Sequence, residues 1–397
     1  MSKKVLIVTP KFPYPSYGAC EQDRAAGIEL FLKMGWEVRV ITKIYGEEYR
    51  KKVEDVSQKL GIKIIPIVYK YLRDSKKCWC RLLNPCNWDG AAFEYSDPEI
   101  RNALVCELET FQPDVVWFDY TYLWPLYKLV KKEKIPVLTR SINFEPMHFL
   151  DEDGRNFKNY LKSIPKLISE YLVSGKSDML FAITPKEGKI YKKMGAKRVV
   201  VLPLRGLPHC ISWSHEVADK KVLNVFFAGS TYNVSHNRAA LEFLLKKVAP
   251  RTESNFPGQF KFHIFGRKIP DDFSNYFNDN IINHQYLAEP EYLSLLSKMD
   301  IAIVPSLYGA GMQQKIFEPL ARGFPVITSK RGLAGYPFEN GRHLLLADTV
   351  EEYVKCLEKM RNYELRQQLS AQAKMLSNNL FSESIIEKII FDTINNL

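Results

Sequence analysis

A chain of 397 residues is long for one domain and natural for two. With 46% apolar residues it can bury a full core, yet no apolar run reaches the roughly 18 residues of a membrane span. The net charge of +11 raises nucleic acid as a partner, but the lysines stand in separate clusters with no arginine-rich run. No nucleic acid is expected; anionic lipid or a polyanionic substrate explains the sign. Seven scattered cysteines argue against a disulfide framework and for a reducing compartment.

Val5 to Thr9 is too short before Pro10 and Lys11 for a signal peptide and reads as the first buried strand, so a cytoplasmic protein is expected. A loop with Pro13, Pro15 and Gly18 follows, then a helix from about Glu21 to Met34 with Ala25, Ile28, Phe31 and Leu32 at helical spacing. Gly35 ends it, and Trp36 to Thr42 is the second strand. This βαβ unit implies a right-handed crossover and a parallel sheet, with ligands at the carboxyl ends of the strands, here Pro10 to Arg24. Glu21 and Asp23 equally suit the first turn of a helix. A polar helix over Tyr45–Leu60 and a strand over Ile62–Val68 come next.

Tyr69 to Ser96 breaks the alternation: it is basic, aromatic and cysteine-bearing, with Trp79, Trp88, Phe93 and Tyr95. Such a loop suits a membrane interface or a bulky acceptor, and equally a loop packed on its own aromatics. Cys78, Cys80 and Cys86 lack the spacing and the fourth ligand of a zinc site, so free thiols are expected. A helix over Glu99–Phe111 and strands over Asp114–Phe118 and Ile135–Arg140 lead into RSINFEPMHF. Then come a long helix (Phe157–Ser174), a strand (Met179–Thr184), a helix (Lys186–Met194) and a strand (Val199–Leu202). LPLRGLPHCISWSHEVADKK loses all periodicity and reads as a linker.

Val222 to Ala228 opens a second βα series. Phe260 to Phe265 is a strand with Gly266 and Arg267 at its carboxyl end, and Ile281 to Leu287 leads to Pro290, apt for the first position of a helix. The most informative stretch is IAIVPSLYGAGMQQKIFEPLARGFPVITS, from Ile301 to Ser329. It parses as strand, glycine loop, helix from Met312 to Gly323, and strand. A glycine turn opening a helix offers free N–H groups at the positive end of the dipole, a place for phosphate. Lys315 lies one turn in and Glu318 one turn further on the same face, the order a nucleotide diphosphate and its ribose require. An ordinary β-loop-α unit with a solvated Lys and Glu has the same spacing. A strand over Gly341–Ala347, a helical stretch over Val350–Met375 and an amphipathic helix from Ser382 to Leu397 close the chain.

GAGMQQKIFEPLARGFPVITS resembles the nucleotide-sugar motif of retaining GT-B glycosyltransferases of family four, also called glycosyl transferases group one. Gly309, Gly311, Met312, Lys315 and Glu318 fit that motif in register, and Ala310 replaces a glutamate usual in the wider family. VFFAGSTYNVSHNRAALEFLLKKVAP is similar to the family's opening C-domain segment through Gly229, Ser230, Asn237, Ala240 and Phe243. RSINFEPMHF resembles its N-domain motif through Arg140, Ser141, Asn143 and Glu145, with Ile142 where a histidine is usual.

The resemblance implies an α/β fold of two Rossmann-like domains facing each other across a cleft, with a C-terminal helix crossing back to the first. The expected boundaries are 1–203 for an acceptor-side domain, 204–221 for a linker, 222–378 for a nucleotide-sugar domain and 379–397 for the returning helix. It implies transfer of a sugar from a nucleotide-diphosphate sugar to a saccharide or lipid-linked acceptor, with retention, in polysaccharide biosynthesis.

Donor-binding residues would be Gly229, Ser230, Arg238, Gly266, Arg267, Tyr286, Leu287, Gly309, Ala310, Gly311, Met312, Lys315 and Glu318. Acceptor-binding residues would be Gly18, Glu21, Gln22, Asn143 and Glu145, with Lys315 and Arg140 catalytic. The family's two first-loop cations are absent, so Lys315, then Arg238 or Arg267, must meet the diphosphate. No cofactor or metal is expected: the Asp151-x-Asp153 pair reads as a helix start. Two alternatives share the architecture, a nucleotide-sugar 2-epimerase and a non-catalytic nucleotide-sugar-binding relative. Peripheral contact with an anionic membrane is a further expectation.

Overall fold

The structure is a computed structural model that describes residues 2–16, 18–70, 83–308 and 312–395. The chain divides into two compact units, Met1–Gly206 with Ile386–Leu397, and Leu207–Ile385. The first holds a seven-stranded sheet in the order β3-β2-β1-β4-β5-β6-β7. Its strands are β1 Lys4–Thr9, β2 Glu37–Ile44, β3 Lys63–Val68, β4 Val115–Phe118, β5 Val137–Arg140, β6 Met179–Ala182 and β7 Val199–Val201. Every neighbouring pair is parallel. A parallel sheet needs helices on both faces, and the sequence supplies them in the crossovers.

Period-two alternation sets the two cores. Val5 and Ile7 of β1 face one cluster with Phe31, Trp117 and Phe181, while Leu6 and Val8 face the other with Phe118, Tyr127 and Tyr191. Ile386, Ile390 and Ile394 of the last helix, Glu383–Asn395, complete the first cluster. Truncating one of these buried isoleucines costs about 2–5 kcal/mol.

The second unit holds a six-stranded sheet in the order β10-β9-β8-β11-β12-β13. Its strands are β8 Leu223–Thr231, β9 Phe260–Arg267, β10 Ile281–Gln285, β11 Ile301–Val304, β12 Val326–Thr328 and β13 Leu345–Leu346, again all parallel. Helix starts follow local chemistry. Thr349 and Glu352 form a capping box at Val350–Lys359, and Asn362 caps the next helix, Tyr363–Phe381. The helical stretch expected over Val350–Met375 is thus made of two helices.

One further expectation needs correcting. The RSINFEPMHF segment opens a helix, Glu145–Asp153, with Pro146 in its first turn. Asp151 and Asp153 therefore end a helix rather than start one; Asp151 binds Arg155 at 2.7 Å, and Asn156 caps the next helix, Phe157–Lys176. Residues of the expected linker pack within the units: Arg205 is buried in the first, and the His215 ring stacks on Phe324 at 4.0 Å in the second. Among the described residues no helix is long and apolar enough to cross a membrane.

Candidate functional site

In the second sheet the carboxyl ends of β8, β9 and β11 lie side by side, the edge where parallel α/β sheets take ligands. The ends of β8 and β9 meet through two glycines. A Cβ on Gly266 would lie 2.2 Å from the Gly229 carbonyl oxygen, and one on Gly229 would lie 2.9 Å from the Tyr232 ring. Gly266 also has φ +147°, which side chains avoid. Tyr232 is buried between them, and its hydroxyl donates to the Phe265 carbonyl at 3.0 Å. These glycines thus have a packing reason as well as a ligand-access reason, and Tyr232 is a part of the site the sequence reading missed. Ser230, beside Gly229, is exposed.

The helix after β11 spans Gln314–Ala321, opening two residues later than Met312. Met312 itself is buried. Gln313 at its N-cap makes no side-chain cap, and its carbonyl accepts the Ile316 N–H at 3.0 Å. The shift corrects the position of Lys315: it lies in the first turn of the helix, not a turn further in. Its ammonium donates to Asn237 Oδ1 at 2.9 Å, and Asn237 Nδ2 donates to the Thr231 carbonyl at 2.9 Å. The carbonyl fixes which end of the amide faces the lysine. Burial pushes the Lys315 amine down to about 8, and among the described residues no carboxylate pairs with it. A cation held only by a neutral amide is poised for an anion.

Glu318 accepts from Arg322 Nε at 3.1 Å, an i,i+4 pair that holds the carboxylate on the same helix. Arg238 pairs with Asp272 at 2.7 Å, both half-exposed. Arg267 lies over the Tyr286 ring at 3.7 Å, and Tyr286 keeps 53% of its surface beside Leu287, just past the end of β10. Among the described residues Lys315 thus lacks an acidic partner, where Arg238 has Asp272. Gly309, Ala310 and Gly311 lie outside the described residues, as do Cys78, Cys80 and Trp79. Just before them, Ser306 is held by Ser329 and Gln313, and the Tyr308 hydroxyl donates to the Ser235 carbonyl at 2.6 Å.

In the first unit Gly18 is the N-cap of the helix Ala19–Lys33, and Glu21 in its first turn pairs with Lys11 at 2.6 Å. Gln22 packs against Gly206, whose added Cβ would meet it at 3.2 Å. Asn143 accepts the Ser141 hydroxyl on its carbonyl at 3.1 Å, and Glu145 accepts from the Tyr120 hydroxyl and pairs with Lys166 at 3.4 Å. Ile142, in the place of a histidine, is buried, and His148 lies 3.5 Å from Glu152 on its own helix.

Arg140 needs a correction. It is 0% exposed, and its two terminal nitrogens are spent on Asp23 at 3.2 Å and on the carbonyls of Leu202 and Pro203, its Nε remaining covered without a partner. It has no surface for a substrate and acts as a structural ion. Burial alone would raise the Asp23 carboxyl, but Arg140 and Arg205 hold it well below the usual range.

Among the described residues no three His, Cys, Asp or Glu side chains are grouped to hold a metal ion. The described cysteines Cys20, Cys106, Cys210 and Cys356 are free thiols.

Residues 223–362 match the family model described as glycosyl transferases group 1. No curated protein sequence matches the chain. Among solved structures, sucrose-phosphate synthase from Thermosynechococcus elongatus aligns with TM-score 0.71 at 12% identity, over 99% of this chain and 98% of that one. HepE from Anabaena in complex with UDP aligns with TM-score 0.64 at 12% identity, over 99% and 100%. A point mutant of S. aureus TarM in complex with Fondaparinux, alpha-GlcNAc-glycerol and UDP aligns with TM-score 0.66 at 11% identity, over 98% and 99%. Likeness over whole chains at such identities fixes the fold, which is GT-B.

Proposed function

We infer, from a glycosyl transferases group 1 domain over residues 223–362 in a chain of GT-B fold, that the protein is a glycosyltransferase that uses a nucleotide sugar. The observation that carries the site assignment is Lys315, a half-buried amine pushed down to about 8 whose partner among the described residues is the Asn237 amide, in the first turn of a helix. A leaving diphosphate needs positive charge where its own negative charge grows. Lys315 and the N–H groups of the Gln314–Ala321 helix supply it at one point. In this reading Glu318, steadied by Arg322, takes the ribose hydroxyls, and Tyr286 with Arg267 over its ring takes the base. The glycines Gly309 and Gly311 let backbone approach the phosphates.

Two structural relatives are solved in complex with UDP, which supports a uridine diphosphate sugar as the donor. The acceptor is a saccharide or lipid-linked saccharide bound on the first unit, and the product keeps the configuration of the donor. The work is cytoplasmic and belongs to polysaccharide assembly. With Lys315 and the helix terminus meeting the diphosphate, no metal is required, so a chelator leaves the rate unchanged. A panel of labelled nucleotide sugars tests the whole reading: transfer to a saccharide supports it, inversion at C2 of the donor makes the protein an epimerase, and binding without turnover makes it a relic. Peripheral attraction to anionic membrane follows from the charge of +11. Liposome sedimentation should show binding that vanishes at salt above about 0.1 M, where screening acts within about 10 Å.

A further inference from the structure

The carboxyl edge of the first sheet carries a continuous row of tyrosines. Tyr45 follows β2, Tyr69 follows β3, Tyr120 and Tyr122 follow β4, and Tyr95 closes the short helix Gly90–Glu94. Ring centres lie 6.3 Å apart for Tyr45 and Tyr69, 5.4 Å for Tyr69 and Tyr95, 5.7 Å for Tyr95 and Tyr122, and 4.0 Å for Tyr122 and Tyr120. The row runs from outside to inside: Tyr45 is 52% exposed, Tyr69, Tyr95 and Tyr122 are half-buried, and Tyr120 is buried.

At its inner end stands Arg24, with its guanidinium carbon 5.6 Å from the centre of the Tyr120 ring. Arg24 is only 6% exposed, yet its Nε is covered without a hydrogen-bond partner and it makes no ion pair among the described residues. The carboxylates around it are already matched. Glu21 has Lys11, Glu145 has Lys166, and Asp23 and Asp119 have Arg140 and Arg205. Asp119, whose charge does reach Arg24, gives one oxygen to both Arg205 and Trp117, while its other oxygen is buried without a hydrogen-bond partner. Arg24 is therefore the surplus charge of the cluster. A buried ion with no partner is unfavourable, and a fold keeps one where a ligand of opposite sign completes it. Tyr122 is stacked between Tyr95 and Tyr120, so the row presents ring edges and phenol hydroxyls, which with a cation at its end suit a molecule with a hydroxyl rim and one negative group.

We propose that this edge is the acceptor subsite and takes an anionic saccharide, its rings lying along Tyr45, Tyr69, Tyr95 and Tyr122 and its carboxylate or phosphate meeting Arg24. The proposal rests on the glycosyltransferase reading but concerns the other substrate, so it is tested by binding alone, without a donor. Calorimetry on the full chain compares an oligogalacturonate, a phosphorylated oligosaccharide and a neutral oligosaccharide of equal length. One of the two anionic chains should bind at least about tenfold more tightly than the neutral one, and which of them does so distinguishes carboxylate from phosphate. Arg24→Gln should weaken that chain about ten- to a hundredfold, the range for a charged hydrogen bond, and leave the neutral chain unaffected. Arg24→Lys should recover part of the loss. Tyr45→Ala, at an exposed position, should weaken anionic and neutral chains alike by a few-fold.

Equal affinity for anionic and neutral chains, or no binding of either anionic chain, overturns the proposal. So does a loss in Arg24→Gln that is the same for both classes and accompanied by a lower melting temperature, since Arg24 would then only neutralise Asp119. A melting shift with UDP, measured on the same proteins, keeps the two readings apart. If UDP binds and the anionic saccharide does not, the acceptor assignment falls and the glycosyltransferase reading stands.

Discussion

The two units bury charge in opposite ways. In the first, Asp23 sits between Arg140 and Arg205 while Arg205 also binds Asp119 at 2.7 Å, and all four side chains are 1% exposed or less. In the second, Lys315 is half-buried against one neutral amide, with no carboxylate partner among the described residues. Closed ion networks hold their protonation state and act as structure; an open ion drifts toward neutrality until an anion arrives. Glu170 shows a third solution. Burial, with Glu145 nearby, raises its carboxyl to about 8, so near neutral pH it keeps its proton while Thr121 and Tyr191 bond it. Burial of an ionisable group therefore marks a site only where its partners are missing. Arg140, at the end of β5, falls on the structural side of that line, and Lys315 and Arg24 on the other.

The contrast can be broken at several points. The largest effect is expected from Asp23→Ala, which leaves two buried guanidinium groups short of a partner and should cost about 3–5 kcal/mol of stability in urea unfolding. Nucleotide affinity, which belongs to the other unit, should not change; a parallel loss of affinity would erase the distinction.

Next comes Lys315→Ala, expected to lower turnover by about 10²–10³ with no loss of stability in the free protein. Lys315→Arg should recover little, because a planar fork does not replace a compact ammonium. Near-normal turnover in the alanine variant would move the role to Arg267 or Arg238. In the free protein the folded amine, at about 8, lies below its ordinary 10.5. Donor affinity that depends on the ammonium should thus decline as pH rises through about 8, while this group's contribution to stability improves from 8 to 10.5.

A smaller change is expected for Glu318→Ala, about 1.5–3 kcal/mol in calorimetric affinity for a nucleoside diphosphate. Unchanged affinity in a folded variant would remove the ribose role.

Smallest is the acid response of His215 and His263, which burial pushes down to about 4, with Lys220 and Arg366 beside the first and His284 beside the second. Their folded values lie below 6.5, so the stability they allow is whole above 6.5 and is lost as pH falls toward about 4. Melting temperature should decline over that window, and His263→Gln should flatten the decline.

Much of the fold can be read from sequence because each strand is a short apolar run and each crossover helix has its own spacing. The helix Glu145–Asp153 escaped because its motif was weighed for ligand contacts, although Pro146 is a helix-start signal. On the donor side Lys315 and Glu318 were legible since one helix carries both. What brings Arg24 to Tyr120, or Tyr45 to Tyr69, is the parallel order β3-β2-β1-β4, which sets four strand ends side by side. No spacing along the chain encodes that meeting. The misreading of Arg140 has the same origin: its partner Asp23 is 117 residues away, and only the fold reveals that the charge is already met.

The last helix carries a consequence for synthesis. Ile386, Ile390 and Ile394 belong to the same cluster as Val5 and Ile7, and Lys3 donates to Asn395 at 2.6 Å. The whole second unit, Leu207–Ile385, is therefore an insertion between two parts of one core. On the ribosome the first unit waits, with an apolar groove open, until its closing helix has emerged. The second unit has every strand of its own sheet in hand before that moment. The order of completion is thus the reverse of the order of translation, and the nascent first unit is the part of the chain most in need of protection from aggregation.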